Sequence, residues 1–320
     1  MRVLVVGAGA IGGYFGGRLL QAGRDVTFLV RPRRAAELAD RGLIIKSPRG
    51  DFTQRAPATL LAENIRRPFD LVLLSCKAYD LDAAMESFAA AVGPDSLVLP
   101  VLNGMRHLDM LDERFGRSHV LGGQCVIAAT LDPQRTVVHL NDSQMLSFGE
   151  RDGAMSDRIR AVADLLGNAG FDARLSDHIV QEMWDKWVLL ATLAGITCLM
   201  RASVGDIVAS SGGRELILSL LEECRVIAVA AGQAPQTAFV QQASAALTAA
   251  GSPLTASMLR DVEGNAPVEA DHILGDLLRR RGSGPANHSG QSLLATAYTH
   301  LKAYEARRAR MLASTLHAGR

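Results

Sequence analysis

A charge excess of either sign is missing from this chain. Its 320 residues include 34 basic and 33 acidic ones, a formal net charge of +1. That balance removes any bulk electrostatic case for nucleic acid or an anionic membrane as a partner. Cysteine is scarce: four residues, at 76, 125, 198 and 224, show neither a C-x-x-C pair nor metal-ligand spacing. They read as small core residues in a reducing compartment. The eight histidines form no H-E-x-x-H pattern, so no metal site is expected. Long apolar runs are missing too. The longest, residues 187–200, lies between Lys186 and Arg201 and falls short of the roughly 20 residues a bilayer span needs. It predicts a buried core helix. There is no internal repeat and no low-complexity tract. The first strand starts at residue 2, so no signal peptide is expected and the predicted location is cytoplasmic.

What is present begins at once. Arg2-Val3-Leu4-Val5-Val6 is an apolar strand that runs into Gly7-Ala8-Gly9-Ala10-Ile11-Gly12. A strand feeding a G-x-G-x-x-G turn, followed by a helix, is the phosphate-gripping start of a dinucleotide-binding fold. Gly7 suits the tight turn, Gly9 the approach of backbone to pyrophosphate, and Gly12 the close packing of helix on sheet. The helix N-terminus then directs its N–H groups and positive dipole end at the diphosphate. The next strand, residues 26–30, ends in Arg31-Pro32-Arg33-Arg34. NAD sites usually place an acid there for the ribose hydroxyls, but the nearest acid, Asp25, precedes the strand. A guanidinium at position 31 suits the 2′-phosphate of NADP; a solvated basic loop is the plainer alternative.

Hydrophobic residues make up 48% and charged residues 21% of a chain long enough for two domains. Up to about residue 175, short apolar runs alternate with helical stretches. The candidate strands lie at 43–45, 69–75, 96–101, 120–130, 136–139 and 145–148, with a turn near Asp132-Pro133. A helix over 155–168 closes the series. This alternation predicts an α/β fold with an N-terminal Rossmann-type doubly wound sheet over residues 1–175. From residue 176 helical patterns take over: 179–200, 213–231, 235–250, 255–261, 267–280 and 290–306, punctuated by turns including Gly282-Ser283-Gly284-Pro285. An all-helical C-terminal domain over 176–320 is expected, with the ligand crevice between the two domains.

Several polar residues stand where chemistry is expected. Lys77 follows one strand and Asn103-Gly104 another, at carboxyl ends that face ligands in open α/β sheets. Each also reads as an ordinary strand end or turn. Lys186 lies in Met183-Trp184-Asp185-Lys186-Trp187, at the head of the long apolar run. Partial desolvation beside two indoles would lower its pKa and suit it to proton transfer, with Glu182 and Asp185 countering that shift. A lysine snorkelling from a helix end is the plain reading. Ser257 and Glu269 read on their own as a helix cap and a surface acid.

Taken in order, these segments resemble the ketopantoate reductase family (2-dehydropantoate 2-reductases) over nearly the whole chain. The resemblance rests on the glycine turn with Arg31, Lys77-Ala78-Tyr79, Asn103-Gly104-Met105, Trp184-Asp185-Lys186, and Ser257-Met258-Leu259 with Glu269 beyond it. It implies NADPH-dependent reduction of a 2-keto acid, 2-dehydropantoate to pantoate in pantothenate biosynthesis, with Lys186 as proton donor. It places Lys77, Asn103, Glu269 and the backbone of Ala128 along the cofactor, and Asn103, Lys186 and Ser257 on the substrate. A homodimer is compatible with it. Family members commonly carry substrate-binding asparagines after the catalytic lysine; here those places hold Leu190, Ala194 and Val204. Aliphatic groups do not replace buried amides that bind hydroxyls. A divergent NADPH-dependent oxidoreductase on another carbonyl compound is therefore the alternative, and a non-catalytic NADP-binding sensor a more distant one.

Overall fold

A computed structural model of the chain describes residues 1–281 and 292–318. The turn expected at Gly282-Ser283-Gly284-Pro285 and the helix start expected at Gly290 lie outside them. Two compact units are present. One comprises Met1–Leu102 and His107–Val180, the other Asn103–Arg106 and Gln181–Arg320.

The first unit is built on β1 (Arg2–Val6), α1 (Ala10–Gln21), β2 (Asp25–Leu29), α2 (Pro32–Arg41), β3 (Leu43–Lys46), β4 (Phe52–Gln54), β5 (Thr59–Leu60), β6 (Leu71–Leu74), α3 (Leu81–Phe88) and β7 (Leu97–Pro100). After α4 (Arg106–Phe115) come β8 (Gly122–Leu131), β9 (Val137–Gly149), α5 (Asp157–Leu166) and β10 (Asp172–Leu175). Five strands form an all-parallel sheet in the order β5-β2-β1-β6-β7. β6 and β7 are buried at every position, as strands covered on both faces must be. The order reverses direction between β1 and β6, and such a switch point opens a ligand crevice at the carboxyl ends of the strands.

β3 and β4 leave the parallel sheet and join the later strands in a second one, β10-β9-β3-β4, with β8 antiparallel to β9. The two segments expected at 136–139 and 145–148 are one strand, β9. Its middle, Leu140 to Ser143, is exposed and mostly polar and so resembles a turn. Pairing with β8 holds it extended, with one register shift between Ile127 and Ala129. The β8–β9 turn is closed by Asp132, whose carboxylate accepts from the Thr136 N–H (2.7 Å) and whose carbonyl accepts from Arg135 N–H (2.9 Å). Arg135 itself sits at φ +66°.

The second unit is helical: α6 (Ile179–Met200, which begins within the first unit), α7 (Val204–Ala209), α8 (Gly213–Ala230), α9 (Thr237–Leu247), α10 (Ser257–Glu263), a π-helical turn (Asp271–Gly275) continuing into α11 (Asp276–Arg279), and α12 (Leu293–Ala318). α6, about 33 Å long from its 22 residues, is long and apolar enough to cross a membrane by composition, but 67% of its most apolar window is buried within the structure. Gly195 lets it approach Leu220 of α8, Leu274 and Ala297 of α12; an added Cβ would lie 3.0 Å from Leu220. The thiols of Cys198 on α6 and Cys224 on α8 are pushed up to about 12 by burial, which keeps them unreactive core groups.

Candidate active site

The glycine turn follows from the local sequence. Gly7 adopts φ +90°, and its N–H donates to the Leu29 carbonyl (2.9 Å), locking the turn onto β2. Gly9 precedes α1, and the Gly9 carbonyl takes the N–H of Gly13 (2.8 Å). No side chain caps α1 and its first turn holds no acid, so the amides of Ala10, Ile11 and Gly12 face outward as anion donors. A Cβ on Gly7 or Gly9 would meet nothing within 4 Å, whereas one on Gly12 would collide with the Gly7 carbonyl and Ser75 Oγ. The turn is open where a diphosphate would rest and closed where helix meets sheet. That fits a dinucleotide. Ala8 is nearly buried and its carbonyl accepts from Arg34 Nε (3.2 Å).

Arg31, immediately before α2, is exposed, with 75% of its side chain accessible, and its guanidinium is paired with Asp80 (2.9 Å). Asp80 belongs to the short turn after Lys77: its N–H donates to the Lys77 carbonyl (2.9 Å). One aspartate therefore joins the loop after β2 to the loop after β6. Lys77 is half-buried. Ala128 lies at the register shift of β8, and its N–H donates to Asn141 Oδ1 (3.0 Å). A backbone contact from Ala128 to a cofactor would fall to its carbonyl.

In the second unit, α6 presents Lys186 on a half-buried strip with Glu182, Asp185, Leu189 and Leu190. The neighbouring indoles turn inward. Trp184 and Trp187 are buried, their centroids 4.9 Å apart, and the Arg280 guanidinium lies 5.8 and 5.6 Å from the two rings. The cation resting on the tryptophans is thus Arg280, and the groups sharing the Lys186 strip are carboxylates and leucines. Burial pushes the Asp185 carboxyl above the usual range; Glu182 adds to this, and a hydrogen bond from Gln181 (2.8 Å) opposes it.

Three distant segments meet at the π-helical turn. Trp187 Nε1 donates to the Ile273 carbonyl (2.9 Å). The Glu269 carbonyl accepts from the N–H groups of His272 (3.2 Å) and Ile273 (3.0 Å), and Glu269 itself is only 8% exposed. Gly104, at φ +80°, packs so closely that a Cβ would stand 2.9 Å from the His272 carbonyl. The backbones beside Lys186, Glu269 and Asn103 therefore converge, and a π-helical turn is a frequent companion of functional sites. Ser257, exposed at the start of α10, sits apart from this junction. Its neighbour Ala256 donates to Thr197 Oγ1 (3.4 Å), about three turns along α6 from Lys186.

The positions where the family carries asparagine offer no polar group. Ala194 and Val204 are buried, and Leu190 is half-buried. The nearby hydroxyls are used internally: Thr192 donates to the Val188 carbonyl (2.8 Å) and Thr197 to that of Leu193 (2.6 Å). Sequence reasoning missed Asp80 and the Arg34–Ala8 bond. Arg34 was visible as part of a basic run; nothing in the sequence marked Asp80 as its neighbour's partner.

Comparison with known proteins supplies the remaining findings. Residues 3–153 match the family described as "Ketopantoate reductase PanE/ApbA", and residues 178–305 match "Ketopantoate reductase PanE/ApbA C terminal". An uncharacterized oxidoreductase of Bacillus subtilis, YkpB, is 34% identical over 306 residues, covering 96% of this chain and 99% of that protein. The crystal structure of 2-dehydropantoate 2-reductase from Methylococcus capsulatus is 26% identical, with a TM-score of 0.83 over 96% of this chain and 98% of that one. A D-mandelate dehydrogenase solved with NADH and anilino(oxo)acetate shares the fold, with a TM-score of 0.83 at 20% identity over 96% of this chain and 99% of that one.

Proposed function

This chain belongs to the ketopantoate reductase family and is an oxidoreductase dependent on a nicotinamide dinucleotide; on that premise we propose that it uses NADPH to reduce a 2-keto acid, foremost 2-dehydropantoate to pantoate for pantothenate biosynthesis. When bound, the cofactor supplies a hydride to the keto carbon. The rest falls to the chain's own residues. The amides of Ala10, Ile11 and Gly12 hold the diphosphate, Arg31 the 2′-phosphate, and Lys77, Asn103, Glu269 and the Ala128 carbonyl the remainder of the dinucleotide. Lys186 gives a proton from its ammonium to the keto oxygen as negative charge develops there, and Asn103 orients the acid, leaving Ser257, which lies apart from these residues, to the far end of the substrate.

The observation that carries this reading is the fastening of α6 through Trp187 to Ile273, beside Glu269 and Asn103-Gly104. It ties the residue next to Lys186 to the turn that follows Glu269, the kind of positioning a proton donor requires. Loss of NADPH absorbance with a panel of 2-keto acids tests the reaction. Lys186→Ala should lower kcat by about 10²–10⁴ while leaving NADPH affinity intact; loss of cofactor binding instead would remove Lys186 from the proton-donor role.

The aliphatic residues Leu190, Ala194 and Val204, where the family carries asparagine, favour a second reading, in which the same chemistry acts on a 2-keto acid with an apolar substituent. An aryl or branched aliphatic 2-keto acid outperforming 2-dehydropantoate in kcat/KM would select it. The setting that completes the proposal is a cytoplasmic enzyme with a small-molecule partner. A homodimer is supported by Val226 and Val229 on α8, 46% and 43% exposed at helical spacing, and sedimentation would test it.

A further inference from the structure

A second basic cluster lies within the first unit, beside the glycine turn that Arg34 reaches through the Ala8 carbonyl. Four arginines, Arg33, Arg34 and Arg41 of α2 and Arg135 of the β8–β9 turn, line a pocket of about 190 Å³ together with Glu37 and Thr136. Glu37 is shared among three of them: Arg33 Nε lies 3.0 Å from one carboxylate oxygen, and Arg34 Nη1 and Arg135 Nε lie 3.2 and 3.5 Å from the other. Arg41 donates to the Gln134 carbonyl (3.0 Å). Three guanidiniums thus share one carboxylate, and a fourth lines the same pocket on a carbonyl. Burial, and secondarily the charge of Arg135, push the Arg34 guanidinium below its ordinary range, while Glu37 opposes the shift.

Arg135 adds an independent sign. At φ +66° it occupies the left-handed region, which costs a non-glycine residue about 1–2 kcal/mol. Glycine or asparagine would be the relaxed choice there. Strain of this kind clusters at ligand clamps. The pocket is smaller than the roughly 300–1,000 Å³ of sites for drug-sized ligands, so it suits a phosphate group with a few attached atoms better than a nucleotide. Guanidinium forks match phosphate oxygens in pairs. Arg31 faces Asp80 instead and is not among the walls.

We propose that this pocket is a binding site for a phosphate dianion, either inorganic phosphate or a phosphate monoester on a short carbon chain, separate from the dinucleotide site. Calorimetric titration of the NADPH-saturated full chain with inorganic phosphate and with glycerol 3-phosphate tests it. Each is expected to bind with one-to-one stoichiometry. Tighter binding of glycerol 3-phosphate would assign the pocket to an ester, and equal or weaker binding to inorganic phosphate. Arg135→Gly removes one guanidinium and relaxes the turn, so the protein should remain folded while phosphate affinity falls about tenfold. Arg41→Gln should weaken binding similarly. The proposal is overturned by the absence of saturable heat up to millimolar phosphate, or by unchanged affinity in Arg135→Gly. Phosphate that binds only when NADPH is absent would overturn it too, by making the pocket part of the dinucleotide site.

Discussion

Asp80→Asn removes the carboxylate that occupies Arg31 and should tighten NADPH without tightening NADH. On the proposed reading, the 2′-phosphate displaces Asp80 from the guanidinium 2.9 Å away. The side chains are 75% and 41% accessible, and ion pairs this exposed contribute about 0.2–1 kcal/mol. A carboxylate left beside a phosphate dianion adds repulsion of about 1 kcal/mol in a water-like dielectric. Together they amount to about a 7- to 30-fold fall in NADPH Kd, since 1.4 kcal/mol is a factor of ten. NADH lacks the phosphate, so its Kd should move less than about twofold on the same scale. Folding stability should fall by no more than about 1 kcal/mol, the upper value of an exposed pair. Fluorescence titration of both cofactors into wild type, Asp80→Asn, Arg31→Ala and the double variant gives the coupling directly. The NADPH gain should shrink as salt is raised. If Asp80→Asn helps NADH as much as NADPH, or if Arg31→Ala leaves the preference unchanged, Arg31 does not read the 2′-phosphate.

Three further outcomes follow from the packing. Gly12→Ala places a Cβ against the Gly7 carbonyl and Ser75 Oγ and should cost about 1–3 kcal/mol of stability, with a sharp loss of cofactor affinity; an unchanged Tm would mean the helix is not tightly seated. Trp187→Phe leaves the buried Ile273 carbonyl without its indole donor and should cost about 1–3 kcal/mol, measured by urea unfolding, with kcat falling as α6 loosens. Glu150 supplies a pH signature. Burial alone would raise its pKa, but bonds from Arg158 (2.6 and 2.7 Å) and Ser156 (2.6 Å) outweigh that and hold it below the usual range. Its stabilisation is therefore complete above the unfolded value of about 4.3 and lost as pH falls through the lower folded one. Glu150→Gln should flatten that part of the stability–pH curve, and an identical acid limb in the variant would refute the assignment.

Much of this was legible in the chain because it depends on neighbours in sequence. The strand–glycine turn–helix and the span of α6 follow from local spacing and apolar periodicity. The strands β4, β5 and β10 were not read, since they are short and, unlike β3, β6 and β7, carry no apolar run of their own. The polar middle of β9 looked like a turn because its extension is imposed by β8. At the site, residue types marked Lys186 and Arg31, but not their surroundings. That Arg280 takes the tryptophan faces and Asp80 takes Arg31 depends on tertiary placement. The π-helical turn has the same apolar spacing as an ordinary helix, so only its contacts with Trp187 and Gly104 distinguish it.

The assignment of Asn103–Arg106 to the second unit bears on how the protein is made. These residues emerge from the ribosome long before the helices they join. Gly104 cannot pack on His272 until the chain between them has been synthesised and has closed a very long loop. Such closure is costly in entropy and slow. A fragment beginning at residue 181 would lack these residues and the contact they make, so separately expressed halves should associate poorly. Refolding of the full chain should show the first unit's parallel sheet gaining protection before the junction at Asp271–Gly275 does, and that junction would be the last part of the site to become competent.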